Sequence, residues 1–285
     1  MEHFIKLDGA VTGFCVDDRC VDCLCKKTLY KADKNTKEIV YKKEIFEKDG
    51  LARNLAADEG RIYIGDFCTL YVLNRDDYEI IGKWKLGDDL SSDICGIAED
   101  DKKVYCSIRN GRIIAVDKNS FEKTEYIVSD ASIWSINVYE DYLLCGTVDG
   151  QLLMLNRDTL SVEKKLSLSK QNVRSLYVHD NVLYAACQDK KLFKIDLSEF
   201  EVIHMQKNVH RKMFDCVGVY DDMLMTASYP CSEIALWDMD TLEKRKEIQF
   251  PLSLSGDAFI DGDKLYIASR SIDGIALIDL SADEQ

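Results

Sequence analysis

A period of about forty residues runs the length of this chain and limits what it can fold into. The template is clearest from Ile133 to Leu166, IWSINVYEDYLLCGTVDGQLLMLNRDTLSVEKKL. It reads as an apolar run, an acidic turn at Glu140 and Asp141, and a second run closing on Cys145, Gly146 and Thr147. An Asp149-Gly150 turn, a third run ending at Asn156, and a polar turn into Val162 to Leu166 follow. Asp-Gly between apolar runs is a hairpin signal, and no run is long enough for a helix, so each unit is predicted to be four short strands. One such unit cannot bury both of its faces and needs copies of itself alongside.

The copies can be counted. With Leu143 as anchor, equivalent residues are Val21, Ile62, Val104, Leu143, Leu183, Leu224 and Leu265, spaced by 41, 42, 39, 40, 41 and 41 residues. Three residues before the anchors stand Asp18, Glu59, Asp101, Glu140, Asp180 and Asp221, with Gly262 beside Asp261 in the last copy. Each third strand is predicted to end in Asp33, Asn74, Asp117, Asn156, Asp196, Asp238 or Asp279, residues whose side chains can bond the backbone two positions on. The expectation is an all-β fold, a seven-bladed β-propeller of four-stranded antiparallel blades, filling residues 1–285 as a single domain.

Composition agrees: 285 residues at 46% hydrophobic content can bury a large core, and only Pro230 and Pro251 could interrupt strands. The start, MEHFIKLDGA, lacks a basic region followed by a long apolar core, and no stretch approaches the roughly 18 apolar residues of a membrane span. A cytoplasmic protein is expected. The seventh copy stops after its third strand, so Glu2 to Leu7 are expected to supply the fourth by pairing with Ile275 to Leu280. Copies one and two have short connections between strands two and three, and tight hairpins are expected there. Longer connections, SYPCSE and SRSIDG, and an insert at Val209 to Met213 depart from the template.

The stretch LMTASYPCSEIALWDMDTLEKRKEI, with Trp237-Asp238, resembles a WD40-type repeat, and the resemblance extends over the whole chain. Quinoprotein-like or YVTN-type propellers are similar to a comparable degree. The Trp-Asp dipeptide occurs once and the Gly-His pair that precedes strand one in WD40 repeats is absent, so the family's buried Asp-His-Ser-Trp network is not expected in full.

Propellers host binding modules and enzymes alike, so function must be read from a site. The loops entering strand one and leaving strand two share one face, here called the top. Nine residues before the anchors that face carries Thr12, Arg53, Cys95, Trp134, Arg174, Asp215 and Gly256. Five residues after them it carries Lys26, Phe67, Arg109, Val148, Gln188, Tyr229 and Arg270. Five of these fourteen are basic and one, Asp215, is acidic, whereas the turns between strands one and two are crowded with Asp and Glu. With 51 acidic and 37 basic residues the chain stands at −14, and a basic, aromatic top opposite an acidic bottom would steer an acidic partner. Turn preference accounts for the acids equally well. A pI near 4.8 disfavours nucleic acid and anionic membranes as partners.

Of eleven cysteines, Cys15, Cys20, Cys23 and Cys25 cluster, and CVDC has C-x-x-C spacing. However, Cys23 shares its register with Cys106 and Cys145, and Cys25 shares its own with Cys187, the pattern of small core residues. No second C-x-x-C or neighbouring His completes four ligands, so neither metal nor cofactor is expected. Of the histidines, only His210 is placed to join Asp215 as an acid-base pair, with Arg53 and Arg174 holding an anion. Trp84 and Trp237 are expected in the core. The sequence points to a non-catalytic scaffold binding a protein or acidic peptide through Arg53, Trp134, Arg174, Asp215, Arg109, Tyr229, Arg270 and His210. The alternative is an enzyme or sensor for a small anionic metabolite at the same mouth.

Overall fold

The computed structural model describes residues 2–47, 52, 54–229, 233–249, 258–269 and 271–281. Strands fall into seven four-stranded sheets, six of them meanders in sequence order and the seventh joining the first strand of the chain to the last three. The fold is therefore all-β, a seven-bladed propeller of four-stranded antiparallel blades. In the seventh sheet Glu2–Lys6 pairs antiparallel with Gly274–Asp279, placing Ile5 opposite Ile275. The chain's first strand thus completes the sheet made by its last three, as the sequence predicts. Phe4 and Ile5 are 2% and 4% exposed, and Phe4 meets the Tyr266 ring edge-on at 5.1 Å.

Burial follows strand position. Second strands such as Tyr142–Thr147 and Val182–Cys187 are buried along nearly their whole length, which explains why they read as unbroken apolar runs rather than alternating ones. Fourth strands such as Ile39–Glu44 and Val162–Ser167 are mostly exposed and carry Lys and Glu. Every anchor is the second residue of its second strand and is at most 1% exposed.

Each third strand ends at the residue expected, from Asp33 to Asp279. The Asp33 carboxylate accepts the backbone N–H groups of Asn35 and Thr36 at 2.9 and 2.8 Å, and Asp117, Asn156, Asp196 and Asp238 repeat the arrangement. A feature outside the sequence reading accompanies these turns. Four residues on, Lys37, Tyr78, Phe121, Leu160, Phe200 and Leu242 all have left-handed φ, between 52° and 60°. Such a conformation costs a non-glycine residue about 1–2 kcal/mol, and four of the six offset it by burying an apolar side chain: Tyr78, Leu160, Phe200 and Leu242. In blades one and two the hairpins between strands two and three are two residues long, with left-handed φ at Lys26 and Phe67.

Contacts group the chain into two units, Met1–Ile64, Val72–Ile81 and Val217–Gln285 in one, Gly65–Tyr71 and Gly82–Cys216 in the other. The first has clusters around Val21, Cys23, Ala268 and Ile275, and around Met225, Leu265 and Ile278. It also holds a buried polar knot. Asp22, fully buried, accepts Arg75 Nε at 2.8 Å and the Tyr78 hydroxyl, while Arg75 reaches the Asp17 carboxylate at 2.7 Å and the Asp58 carbonyl at 2.9 Å. Burial first, then the Asp22 charge, holds the Tyr78 phenol protonated far above its ordinary range. The second unit is built around Leu144, Val173, Leu183 and Phe193, and around Ile133, Leu143 and Leu155.

Candidate functional site

The residues nine before four of the anchors have a property the periodicity did not foretell. In Val11–Val16, Ile94–Glu99, Ile133–Tyr139 and Val173–His179 the register with the second strand slips between the first and third residues. The residue stepped over is Thr12, Cys95, Trp134 or Arg174. Each is therefore the extra residue of a β-bulge, a device that re-aims a side chain out of the ladder. The next residue is small, Gly13, Gly96, Ser135 or Ser175. Its smallness has a use: Ser135 Oγ donates to the Val173 carbonyl at 2.9 Å, and Ser175 Oγ accepts the Cys216 N–H at 2.7 Å, so each hydroxyl ties one bulge to the next first strand.

In the unit containing blades three to five, three of the predicted residues lie on the first strands of successive blades. Trp134 and Arg174 are half-buried at their bulges. Asp215, on Met213–Tyr220, faces Arg174 in a two-pronged pair, Nε to Oδ1 at 3.3 Å and Nη2 to Oδ2 at 3.4 Å. The loops leaving strand two are pinned to the same end: Arg109, Val148 and Gln188 donate their backbone N–H groups to the carbonyls of Asp93, Ser132 and Asn172 at 2.9, 3.0 and 2.8 Å. The Arg109 guanidinium also reaches the Asp93 carboxylate at 2.7 Å.

These contacts change the charge balance expected from sequence. Asp215 is not the one acid set against the basic positions, because Asp93 answers Arg109 and Asp8 answers Lys26 at 3.0 Å. Neither acid lies at a position counted from the anchors. Lys26 also lines a cavity with Lys42 and Lys43 of the fourth strand. His210 is 5% exposed, not a solvated loop residue, with its ring 5.3 Å from Phe214. Trp84 is half-buried on the fourth strand Ile80–Lys85, stacked 5.4 Å from Phe121, so only Trp237 is a core tryptophan. Arg53, Gly256 and Arg270 lie outside the described residues, as does the side chain of Tyr229, whose backbone ends the strand Met223–Tyr229. Pro230 to Ser232 of the longer blade-six connection are likewise outside them.

The acidic turns between strands one and two are occupied with structure. Asp17 caps the N–H groups of Arg19 and Cys20, Asp58 those of Gly60 and Arg61, and Asp100 those of Lys102 and Lys103, all at 2.6–2.9 Å. Asp58 and Asp100 also accept the hydroxyls of Tyr63 and Tyr105.

Burial, then the Asp93 charge, pushes the Cys95 thiol up to about 11, and burial pushes Cys106 and Cys187 up to about 12, so none is a thiolate nucleophile near neutral pH. His179 closes a first strand beside Asp180, His204 lies on a fourth strand, and His3 lies on the completing strand, so the histidines are dispersed. Among the described residues no group of three or more His, Cys, Asp or Glu is arranged to hold a metal ion, and no helix is long and apolar enough to cross a membrane.

No protein-family model matches the chain, and no curated protein matches it in sequence. Solved structures do match. The β-propeller domain of Cps50 (Swd1) from Myceliophteria thermophila aligns with a TM-score of 0.80 at 12% identity, covering 95% of this chain and 96% of that one. The WD40 β-propeller domain of Doa1 aligns with a TM-score of 0.78 at 14% identity, covering 97% and 96%. The fold is a WD40-like repeat propeller. The computationally designed protein Ika8 aligns with a TM-score of 0.72 at 11% identity, covering 97% and 99%. In blade six, buried Trp237 donates its indole N–H to Thr226 Oγ1 at 2.7 Å.

Proposed function

We propose that this chain is a non-catalytic interaction scaffold that binds a protein or acidic peptide partner at the end of its blades where the first strands begin. The observation that carries this reading is the run of β-bulges that lifts Cys95, Trp134 and Arg174 out of their ladders at one strand end. Trp and Arg are the residue types that dominate binding hot spots. Arg174 and Arg109 are already oriented by Asp215 and Asp93, so less side-chain freedom is lost when a partner docks. The same ion pairs reduce the positive surplus that a small-anion site would use, which favours the scaffold over a metabolite sensor. The half-exposed acid Asp215 gives the partner's own carboxylates a place to exchange onto Arg174.

The test is affinity capture with tagged full-length chain. Trp134→Ala with Arg174→Ala should lower recovery of the captured partner at least tenfold, since losing even one hot-spot contact of ~2 kcal/mol weakens affinity about thirtyfold. Asp180→Ala, in a turn between strands one and two, should leave recovery unchanged. Equal loss in both, with unchanged thermal melts, overturns the reading. A metabolite that stabilises the wild type but not Arg53→Ala with Arg174→Ala would favour the anion site instead.

A further inference from the structure

In blades one to four the residue after the terminal Asp or Asn of the third strand is basic: Lys34, Arg75, Lys118 or Arg157. Three of these cross to the preceding blade, Lys34 to Asp261, Arg75 to Asp17 at 2.7 Å and Arg157 to Asp100 at 3.3 Å, so each gives an acidic turn its counter-charge. Blade five has Leu197 at that position, apolar like Met239 and Leu280 in the last two blades. The blade-four turn from Tyr139 to Tyr142 therefore receives no cation from its neighbour. At Leu197 the exchange coincides with a cavity of about 440 Å³ between blades four and five, lined by both tyrosines of that turn and by Glu140. Glu140 has no ion pair among the described residues. Burial first, then the Glu140 charge, holds the Tyr139 phenol above its ordinary range.

The cation that does line this cavity is Lys164, on the fourth strand opposite Met154. Its ammonium donates to the Ser198 carbonyl at 3.1 Å and lies 5.9 Å from the centre of the Phe200 ring, and it too has no ion pair among the described residues. The two sides of the cavity are tied together, because the Tyr139 hydroxyl donates to Asn181 Oδ1 and the Asn181 amide donates to Ser198 Oγ. Met154 and Leu197, both buried, supply its apolar lining. From one ammonium and one carboxylate, each without an ionic partner, beside an apolar lining, we infer that this cavity binds a small zwitterion, an α-amino acid with an apolar side chain. The ligand's ammonium answers Glu140 as Arg75 and Arg157 answer the acids of the corresponding turns, and the faces of Tyr139 and Tyr142 favour a cation there. Its carboxylate meets Lys164 in a charge-assisted hydrogen bond. A cation alone would leave Lys164 unanswered and add repulsion, and an anion alone would do the same at Glu140. The side chain covers Met154 and Leu197, and the volume falls in the range of small-molecule pockets.

The experiment titrates the full chain with L-leucine, leucinamide, N-acetylleucine and glycine and follows amide chemical shifts. Saturable shifts centred on Tyr139 to Tyr142 and on Leu197 and Ser198 are expected with L-leucine. Leucinamide lacks the carboxylate and N-acetylleucine lacks the ammonium, so each should bind at least tenfold more weakly, the scale of one hydrogen bond to a charged group. Glycine should also bind more weakly, having no side chain to cover Met154 and Leu197. Glu140→Gln and Lys164→Gln should each lower the affinity for L-leucine at least tenfold, whereas Lys165→Gln, opposite Leu153 on the same strand, should bind as the wild type does. Glu140→Gln should in addition bind L-leucine and N-acetylleucine about equally, a change of preference that a merely structural role would not produce. Both lining charges are exposed, and matched melts keep a folding defect from imitating loss of the site. Shifts that do not saturate, equal affinity of the wild type for L-leucine and its two singly charged relatives, or equal loss in Lys164→Gln and Lys165→Gln would overturn the inference. Glycine binding as tightly as L-leucine would overturn the role given to the apolar lining.

Discussion

Replacing Asp22 by Asn should remove much of what joins blades one and two, and the size of the effect follows from the contacts. The carboxylate is fully buried and its Oδ2 lies 2.8 Å from both Arg75 Nε and Nη2, while Oδ1 accepts the Tyr78 hydroxyl. Asn keeps the volume but loses the charge, and its amide turns one acceptor into a donor facing another donor. Breaking a buried ion pair from one side costs about 3–5 kcal/mol. Arg75 retains the Asp17 carboxylate and the Asp58 carbonyl, which puts the loss at the lower end, about 3 kcal/mol. At roughly 2 °C per kcal/mol for a chain of this size, the Tm should fall by about 6 °C. Urea unfolding of Asp22→Asn, Arg75→Met and the double variant forms a cycle, and a coupling of at least ~1 kcal/mol is expected between groups in such contact. A single variant within ~0.5 kcal/mol of wild type, the range of an ordinary surface change, or purely additive losses would show that the knot does not hold these blades.

Deleting residues 1–8 should destabilise the fold as a whole, since burying Phe4 and Ile5 accounts for about 2 kcal/mol each before any strand pairing is considered; melting within a degree or two of the full chain would contradict this. At Gly146 an added Cβ would lie 2.3 Å from Ser135 Oγ and 2.8 Å from Val173 Cβ, so Gly146→Ala should cost about 1–3 kcal/mol in urea unfolding, with partial recovery when Ser135 is also Ala. Burial pushes the Cys15, Cys106 and Cys187 thiols up to about 12 in the folded chain, against an ordinary value of 9.0. The folded state therefore holds these protons more tightly, so the stability they contribute is fully present below pH 9 and declines as pH rises through about 12. The urea midpoint should fall steadily from pH 9 to 11, and alkylation by iodoacetamide should be slow until the chain is unfolded; a flat midpoint over that range would refute the assignment.

The strands were legible because each one leaves a mark that depends on neighbouring residues only. Asp-Gly turns, the Asp or Asn closing each third strand, and the continuous apolar second strands are local consequences of backbone geometry and two-sided burial. The bulges at Cys95, Trp134 and Arg174 were not, because a bulge is a relation between two strands, and the period of forty is unchanged by it. Its trace in the sequence was the small residue that follows, Gly96, Ser135 or Ser175. The partners of Arg109 and Lys26 were missed for a similar reason: Asp93 and Asp8 sit in the links between blades, whose lengths vary, so counting from the anchors skips them. His210 lies in the link before Met213–Tyr220, yet it is buried with its ring tilted against Phe214, a contact that spacing from the anchors does not report. The left-handed positions, Tyr78 and Leu160 among them, contradict local preference and are held by tertiary burial, which no single-residue propensity reports.

The charge distribution is the place where sequence and structure must be weighed together. A count of acids in the turns between strands one and two suggests a strongly negative rim, yet the residue following the terminal Asp or Asn of the third strand is Lys34, Arg75, Lys118 or Arg157 in four blades. Each turns onto those acids: Lys34 Nζ donates to the Asp17 carbonyl at 2.7 Å, Arg75 meets the Asp17 carboxylate, Lys118 meets Glu99 at 2.5 Å, and Arg157 lies 3.3 Å from Asp100 and 3.6 Å from Asp141. Asp58 accepts the backbone N–H groups of its own turn, as Asp17 and Asp100 do beside their ion pairs. A paired charge acts as a dipole whose field falls off faster with distance than that of a lone charge, and at physiological salt both are screened over about 8 Å. At the proposed binding end, local contacts at Trp134 and Arg174 are expected to outweigh steering by the −14 net charge, which salt confines to about 8 Å. The association rate of a partner should accordingly change less than tenfold between 50 and 300 mM salt, where a steered encounter would fall steeply.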